Sequence, residues 1–186
     1  MRLNMCEPGQ AAAIAIVPAN LTHTPAITAI YHDAVLYGSA SWELEPPDEA
    51  EMARRMADIL ARDYPYRVAM VGDEVAGYAY ASAYRPRPGY RFTVEDSVYV
   101  APAWQGLGIG RRLLAALIDV TTQQGYRQMV AVIGDSANRA SIALHVALSF
   151  THAGTLHSIG FKHGRWLDGV LMQRALGAGD TTLPQR

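Results

Sequence analysis

Glu95 stands upstream of the short apolar run Val98-Tyr99-Val100, and a glycine turn, Gly106-Leu107-Gly108-Ile109-Gly110, follows with Arg111 and Arg112 directly behind it. A strand that delivers such a turn to the start of a helix makes a socket of unpaired backbone N–H groups, which suits a phosphate. Arg111 and Arg112 add positive charge, although a solvated helix position is an equal reading for either one. A carboxylate on the same continuous element can act as a general base, taking a proton directly or through one water. Glu95 is the candidate base; it also reads as a strand-end carboxylate paired with Arg85 or Arg91. Strand alternation puts Glu95, Ser97 and Tyr99 on one face and Asp96, Val98 and Val100 on the other, unless a bulge intervenes.

The glycine turn fits neither of two other phosphate loops. A dinucleotide fingerprint would need glycine at position 111 or 113, where Arg111 and Leu113 stand. A P-loop would need Gly-Lys followed by Ser or Thr, and the chain has no such triplet. What remains is Gln105-x-x-Gly108-x-Gly110, a turn that lets backbone approach a pyrophosphate at a helix start. Composition narrows the class. The chain has 186 residues, half of them hydrophobic, which fits one domain with one core. Its net charge of −1 lacks the footprint of a nucleic-acid binder. Cys6 is the single cysteine, so neither an internal disulfide nor a cysteine-rich zinc site is available, and no metal is expected. No stretch reaches the ~20 apolar residues of a membrane span, and a cytoplasmic, soluble protein is the expectation.

The elements that must hold these residues follow from pattern and punctuation. Residues 1–11 read as a flexible lead, 12–176 as one domain and 177–186 as a flexible tail. Ala12 to Val17 is predicted as a strand. Thr24 as N-cap and Pro25 open a helix ending near Gly38, and a second helix starts near Pro47-Asp48-Glu49. Arg67 to Val71 and Glu74 to Ala83, joined at Gly72-Asp73, form a hairpin. Arg85-Pro86-Arg87-Pro88 makes a rigid loop before the strand that carries Glu95. A helix from Gly108 to about Gln124, a strand from Gln128, a helix from Asn138 to Leu148, and strands at Thr151–Lys162 and Trp166–Arg174 complete a mixed α/β domain. Arg85, Arg87, Arg91 and Arg165 are candidate guanidinium partners for a substrate carboxylate. Trp42 and Glu43 are candidate walls of an acceptor pocket. Ile142, His145 and Val146 share a helical face, so His145 also reads as a core-facing, hydrogen-bonded histidine.

With these residues in view, the chain resembles the GNAT N-acetyltransferase superfamily, most closely its phosphinothricin N-acetyltransferase-like subfamily. The resemblance rests on Ser97-Val98-Tyr99-Val100 followed by Gln105-x-x-Gly108-x-Gly110. It extends through Ile30-Tyr31-His32-Asp33-Ala34-Val35, Tyr84-Arg85-Pro86-Arg87-Pro88, Thr93-Val94-Glu95-Asp96 and Met129-Val130-Ala131-Val132-Ile133-Gly134-Asp135. Ala140-Ser141-Ile142-Ala143-Leu144-His145 and Lys162-His163-Gly164-Arg165-Trp166-Leu167-Asp168 carry it to the end of the domain. It implies a single-domain acyl-CoA N-acyltransferase fold, a mixed, mostly antiparallel central sheet flanked by helices. The implied co-substrate is acetyl-CoA, and the implied acceptor is the α-amino group of a small amino acid or analogue such as phosphinothricin, methionine sulfoximine or methionine sulfone.

The resemblance also assigns residues. Val98, Tyr99 and Val100 would pair through backbone with the pantetheine amides, as an added strand would. Gly106, Leu107, Gly108, Ile109, Gly110 and Arg111 would take the pyrophosphate. Asn138, which has a sufficient role as an N-cap, is placed beside the cofactor arm. Arg85, Pro86 and Arg87, with Glu95, Asp96 and Ser97, would border the acceptor. His145 aligns with a residue that assists proton transfer; Tyr99 or another tyrosine could equally protonate the leaving thiolate. Ser149 departs from the family pattern, which has glycine there. A homodimer is implied. The alternatives are a protein N-terminal or lysine acetyltransferase of the same fold, and a non-catalytic acyl-CoA-binding module.

Overall fold

A computed structural model describes residues 13–184, so Cys6 and the predicted lead lie outside the described residues. In chain order the elements are β1 (Ile14–Pro18), α1 (Thr24–Tyr37), α2 (Glu49–Ala61), β2 (Tyr66–Val71), β3 (Glu74–Ala83) and β4 (Thr93–Val100). They continue as α3 (Ile109–Gln123), β5 (Gln128–Gly134), α4 (Arg139–Ala147), β6 (Thr151–Lys162) and β7 (Arg165–Ala175). The strands form one seven-stranded sheet in the order β1-β2-β3-β4-β5-β7-β6. Every neighbouring pair is antiparallel except β4 and β5.

Local chemistry explains most boundaries. The Asp48 side chain accepts from the Glu51 amide at 2.8 Å and starts α2, and Asn138 accepts from the Ser141 amide at 3.2 Å and starts α4. One cap differs from expectation. Thr24 is the first residue of α1 rather than its cap, and Asn20 caps the short turn before it by accepting from the Thr22 amide at 2.9 Å. Thr24 already has helical backbone, φ −54° and ψ −44°, and its buried hydroxyl makes no hydrogen bond among the described residues. Apolar side chains cover both faces of the sheet. On one face Leu113, Leu114 and Leu117 of α3 meet Ala79, Val94 and Met129. On the other, Ile27, Val35 and Met56 meet Val68, Tyr78 and Tyr99.

The parallel pair matters most for function. β4 and β5 pair only from Thr93 opposite Gln128 to Asp96 opposite Ala131. Beyond that point the strands part, while β4 stays paired to β3 as far as Val100 opposite Gly77. Ser97 to Val100 therefore present one edge of backbone to a cleft in the middle of the sheet. At the far end, residues 177–184 make turns and are held by the Arg127 guanidinium, which donates to the Thr182 carbonyl at 2.9 Å.

Candidate active site

Two spaces meet where β4 and β5 separate. The larger, about 910 Å³, is lined by Val98, Tyr99, Val100, Gly106, Gly108, Ile109, Gly110, Arg111 and Asn138. The predicted anion residues thus come together on one wall, except for Leu107, whose side chain is exposed. Gly108 sits at the N-cap of α3 with φ +79°, a left-handed backbone that favours glycine. Its carbonyl accepts the first helical bond, from the Arg112 amide at 3.2 Å. The amides of the first turn have no intrahelical partner and face an anion with the positive end of the helix dipole. The Gln105 side chain donates to the Val100 carbonyl at 3.2 Å, tying the turn back to the strand end.

The smaller space, about 380 Å³, shares Ala40, Val98, Tyr99, Asn138 and Ser141 with the larger one. Glu95, Asp96 and Ser97 of β4 and His145 of α4 line it, together with Tyr31, Ser41, Trp42, Glu43 and Tyr80. The predicted alternation holds without a bulge along β4. Tyr99 stacks on Tyr78 at 5.1 Å and meets Tyr31 edge-on at 5.2 Å, on the α1 side. Asp96 turns the other way, toward α4. Burial pushes the Glu95 carboxyl up to about 7; the Asp96 charge adds to the rise and Arg85 opposes it. Neither arginine weighed as its partner forms an ion pair with it among the described residues. The Arg85 guanidinium lies over the Tyr84 ring at 5.1 Å, and that of Arg91 over Phe92 at 4.4 Å.

His145 is buried and fully engaged. Its Nδ1 faces the Ser141 carbonyl at 2.7 Å, an acceptor only, so this nitrogen carries a proton and donates. Nε2 lies 3.1 Å from the Asp96 Oδ2. Burial opposes a charged ring, but the Asp96 carboxylate outweighs it and raises the His145 pKa. The ring is thus favoured as an imidazolium that donates to Asp96 through Nε2. Asp96 Oδ1 is buried without a hydrogen-bond partner among the described residues.

Other candidates are dispersed. Arg85, Pro86 and Arg87 do not line the smaller space; Arg85 reaches it through its field on Glu95. Arg165 borders the larger cleft and pairs with Asp135. Trp42 and Glu43 do wall the smaller space, and Glu43 is fixed by Arg55. The sequence reading missed Tyr31 and Ser41, whose hydroxyls are hydrogen-bonded at 2.8 Å beside the pocket. It also missed Lys162, buried and donating to the Ser41 carbonyl at 2.8 Å. Gly134 and Gly160 inside strands were the available signal, since an isolated strand glycine marks a close approach.

Comparison with known proteins agrees with this geometry. The profile of the acetyltransferase (GNAT) family matches residues 27–150. A phosphinothricin N-acetyltransferase from Alcaligenes faecalis is 55% identical over 161 residues, 87% of this chain and 82% of that one. An L-methionine sulfoximine/L-methionine sulfone acetyltransferase from Salmonella typhimurium is 45% identical, over 81% of this chain and 88% of its own. A crystal structure of a GNAT phosphinothricin acetyltransferase from Sinorhizobium meliloti, in complex with acetyl-CoA, superposes with a TM-score of 0.90 at 49% identity, covering 93% of this chain and 94% of that one. A helix-start socket beside an open strand edge, found within a chain this similar to acetyltransferases, makes this protein a member of the GNAT acetyltransferase family.

Proposed function

We propose that the chain transfers the acetyl group of acetyl-CoA to the α-amino group of a small amino acid or analogue of the phosphinothricin or methionine sulfoximine type, with Glu95 as general base. The observation that carries this reading is the continuity of the two spaces, with Glu95 in the smaller one and the anion socket in the larger. The residues present fit acetyl-CoA. The open backbone edge at Val98–Val100 suits amide-bearing pantetheine, and the α3 socket suits a pyrophosphate. The smaller pocket, about 380 Å³, lies in the lower part of the range for small-molecule sites, which favours an amino acid over a protein surface.

Bound acetyl-CoA supplies a thioester that an amine can attack. The chain's own residues do the rest. An acceptor ammonium has no lone pair, and the Glu95 carboxylate removes its proton directly or through one water. A carboxyl near 7 is matched to that task at neutral pH. The Asp96–His145 pair lies on the α4 side of β4 and also lines the smaller space, and its bond braces the strand that holds Glu95. Tyr99 borders both spaces and is a candidate to protonate the leaving thiolate at their junction; burial raises its phenol well above the ordinary range, which keeps the proton in place while weakening it as an acid. Asn138 and Arg111 border the cofactor arm, and the Arg85–Arg87 loop supplies positive charge toward a substrate carboxylate. Among the described residues no helix is long and apolar enough to cross a membrane, and a cytoplasmic place would suit a reaction that draws on acetyl-CoA.

A homodimer belongs to the same reading. Leu44, Leu156, Ile159, Phe161 and Trp166 are exposed on the β6–β7 side, near the rim of the acceptor pocket, where a second copy would cover them. The activity is tested by CoA release with free amino acids, methionine sulfoximine, methionine sulfone, phosphinothricin and short peptides. Turnover confined to the amino acids and analogues is expected. Turnover of peptides alone would replace this reading with the protein-acetylating one, and no turnover with bound acetyl-CoA would leave an acyl-CoA-binding module.

A further inference from the structure

The loop between α1 and α2 is fastened to the sheet at several points. Lys162 and the Tyr31 hydroxyl both hold Ser41, at 2.8 Å each, and His163 Nε2 reaches the Gly38 carbonyl at 3.2 Å. Where the loop crosses the strands, it meets glycines. A Cβ at Gly134 would lie 2.0 Å from the Ser39 carbonyl oxygen, and a Cβ at Gly160 would lie 2.1 Å from the Trp42 indole. A Cβ at Gly169 would sit 3.9 Å from the same ring. The indole therefore lies in a seat that only glycine leaves open.

That seat lies between two cavities. On one side is the acceptor pocket with Glu95. On the other is an apolar groove of about 410 Å³, lined by Leu44, Leu156, Ile159, Phe161 and Leu171. Trp42 and Val132 alone line both. Trp42 contributes much the larger side chain, so its ring is the main partition.

We infer that Trp42, seated on Gly160, is the specificity gate of the acceptor site: it sets an upper limit on the acceptor side chain, and the apolar groove behind it is a latent subsite for large apolar side chains. The inference rests on the acceptor reading proposed above. Removing the indole joins the groove to the pocket. A methyl at position 160 acts in the opposite sense. Carbon atoms need roughly 3.5 Å or more between them, so the ring must move by about 1 Å or more, away from β6 and toward the acceptor.

The test compares steady-state turnover of methionine sulfone and phenylalanine by wild type, Trp42→Ala, Gly160→Ala and the double variant. An intact acetyl-CoA KM serves as the check on folding. Trp42→Ala should raise kcat/KM for phenylalanine relative to methionine sulfone by about tenfold or more, the scale of discrimination in an apolar pocket. Gly160→Ala should raise the acceptor KM with the acetyl-CoA KM unchanged, and that penalty should vanish in the double variant, because the methyl acts only through the indole. A packing defect unrelated to the gate would persist in the double variant. Trp42→Leu, which keeps apolar cover on the glycines, gives the same comparison if Trp42→Ala is unstable. An unchanged acceptor ratio in a variant with intact acetyl-CoA kinetics overturns the gate alone. If wild type acetylates neither compound nor any other free amino acid, the acceptor reading and the gate fall together.

Discussion

Glu95 shares its strand with a second carboxylate, Asp96, and its burial has a kinetic consequence. A base must be deprotonated to accept, so kcat/KM should climb as pH rises through about 7 and level off above it. Glu95→Gln should abolish that limb and lower kcat/KM by about 10²-fold or more, with acetyl-CoA affinity retained in a direct titration. Arg85 opposes the rise of this carboxyl, so Arg85→Ala should move the limb to higher pH. An unmoved limb would show that Arg85 does not reach Glu95 in solution. His145 invites a different expectation. Its bond to Asp96 is buried on both sides, and His145→Asn strands a carboxylate, at a cost of about 3–5 kcal/mol in chemical denaturation. The raised His145 pKa means that its charged form is favoured by folding. That contribution is complete below the ordinary histidine value and fades as pH rises through the raised one. The faces of Glu95 and Asp96 were legible in sequence, because a strand alternates strictly. The His145–Asp96 bond was not, because it spans 49 positions and depends on how α4 docks.

The strand–turn–helix unit from β4 to α3 was readable because each step has its own local cause. Gly106 and Gly108 are the steps with little latitude, since φ values of +77° and +79° are strained for any residue with a side chain. Gly108→Ala should cost about 1–2 kcal/mol of turn geometry, raising the acetyl-CoA KM some five- to thirtyfold while the acceptor KM holds. Equal changes in both constants would point to a general loss of structure. Ser149 shows the converse case. It follows α4 at φ +64°, the backbone for which the family pattern keeps glycine, so the departure noted in sequence falls on a residue that pays conformational strain. The cap at Asn138 was read correctly from residue type, and Asp48, expected only near a helix start, caps α2. Thr24 was not read correctly, because the short turn capped by Asn20 runs straight into α1 and leaves Thr24 inside the helix.

At the scale of the molecule, the apolar side chains along β6 and β7 bear on assembly. If a second copy covers them, sedimentation velocity should give a dimer, and Trp166→Glu should shift it toward monomer. A monomeric wild type would remove the dimer from the proposal. The sequence alone picked out the elements, the glycine turn at a helix start, Glu95 on β4 as the candidate base and the family likeness, since each rests on neighbours within one strand or turn. Tertiary structure decided what those residues face. The parting of β4 from β5 opened the strand edge, the docking of α4 gave Asp96 its histidine, and Lys162 and Gly160 brought a loop more than 100 positions away to wall the space beside Glu95. Such contacts arise from the order of strands in the sheet, and no local spacing along the chain encodes that order.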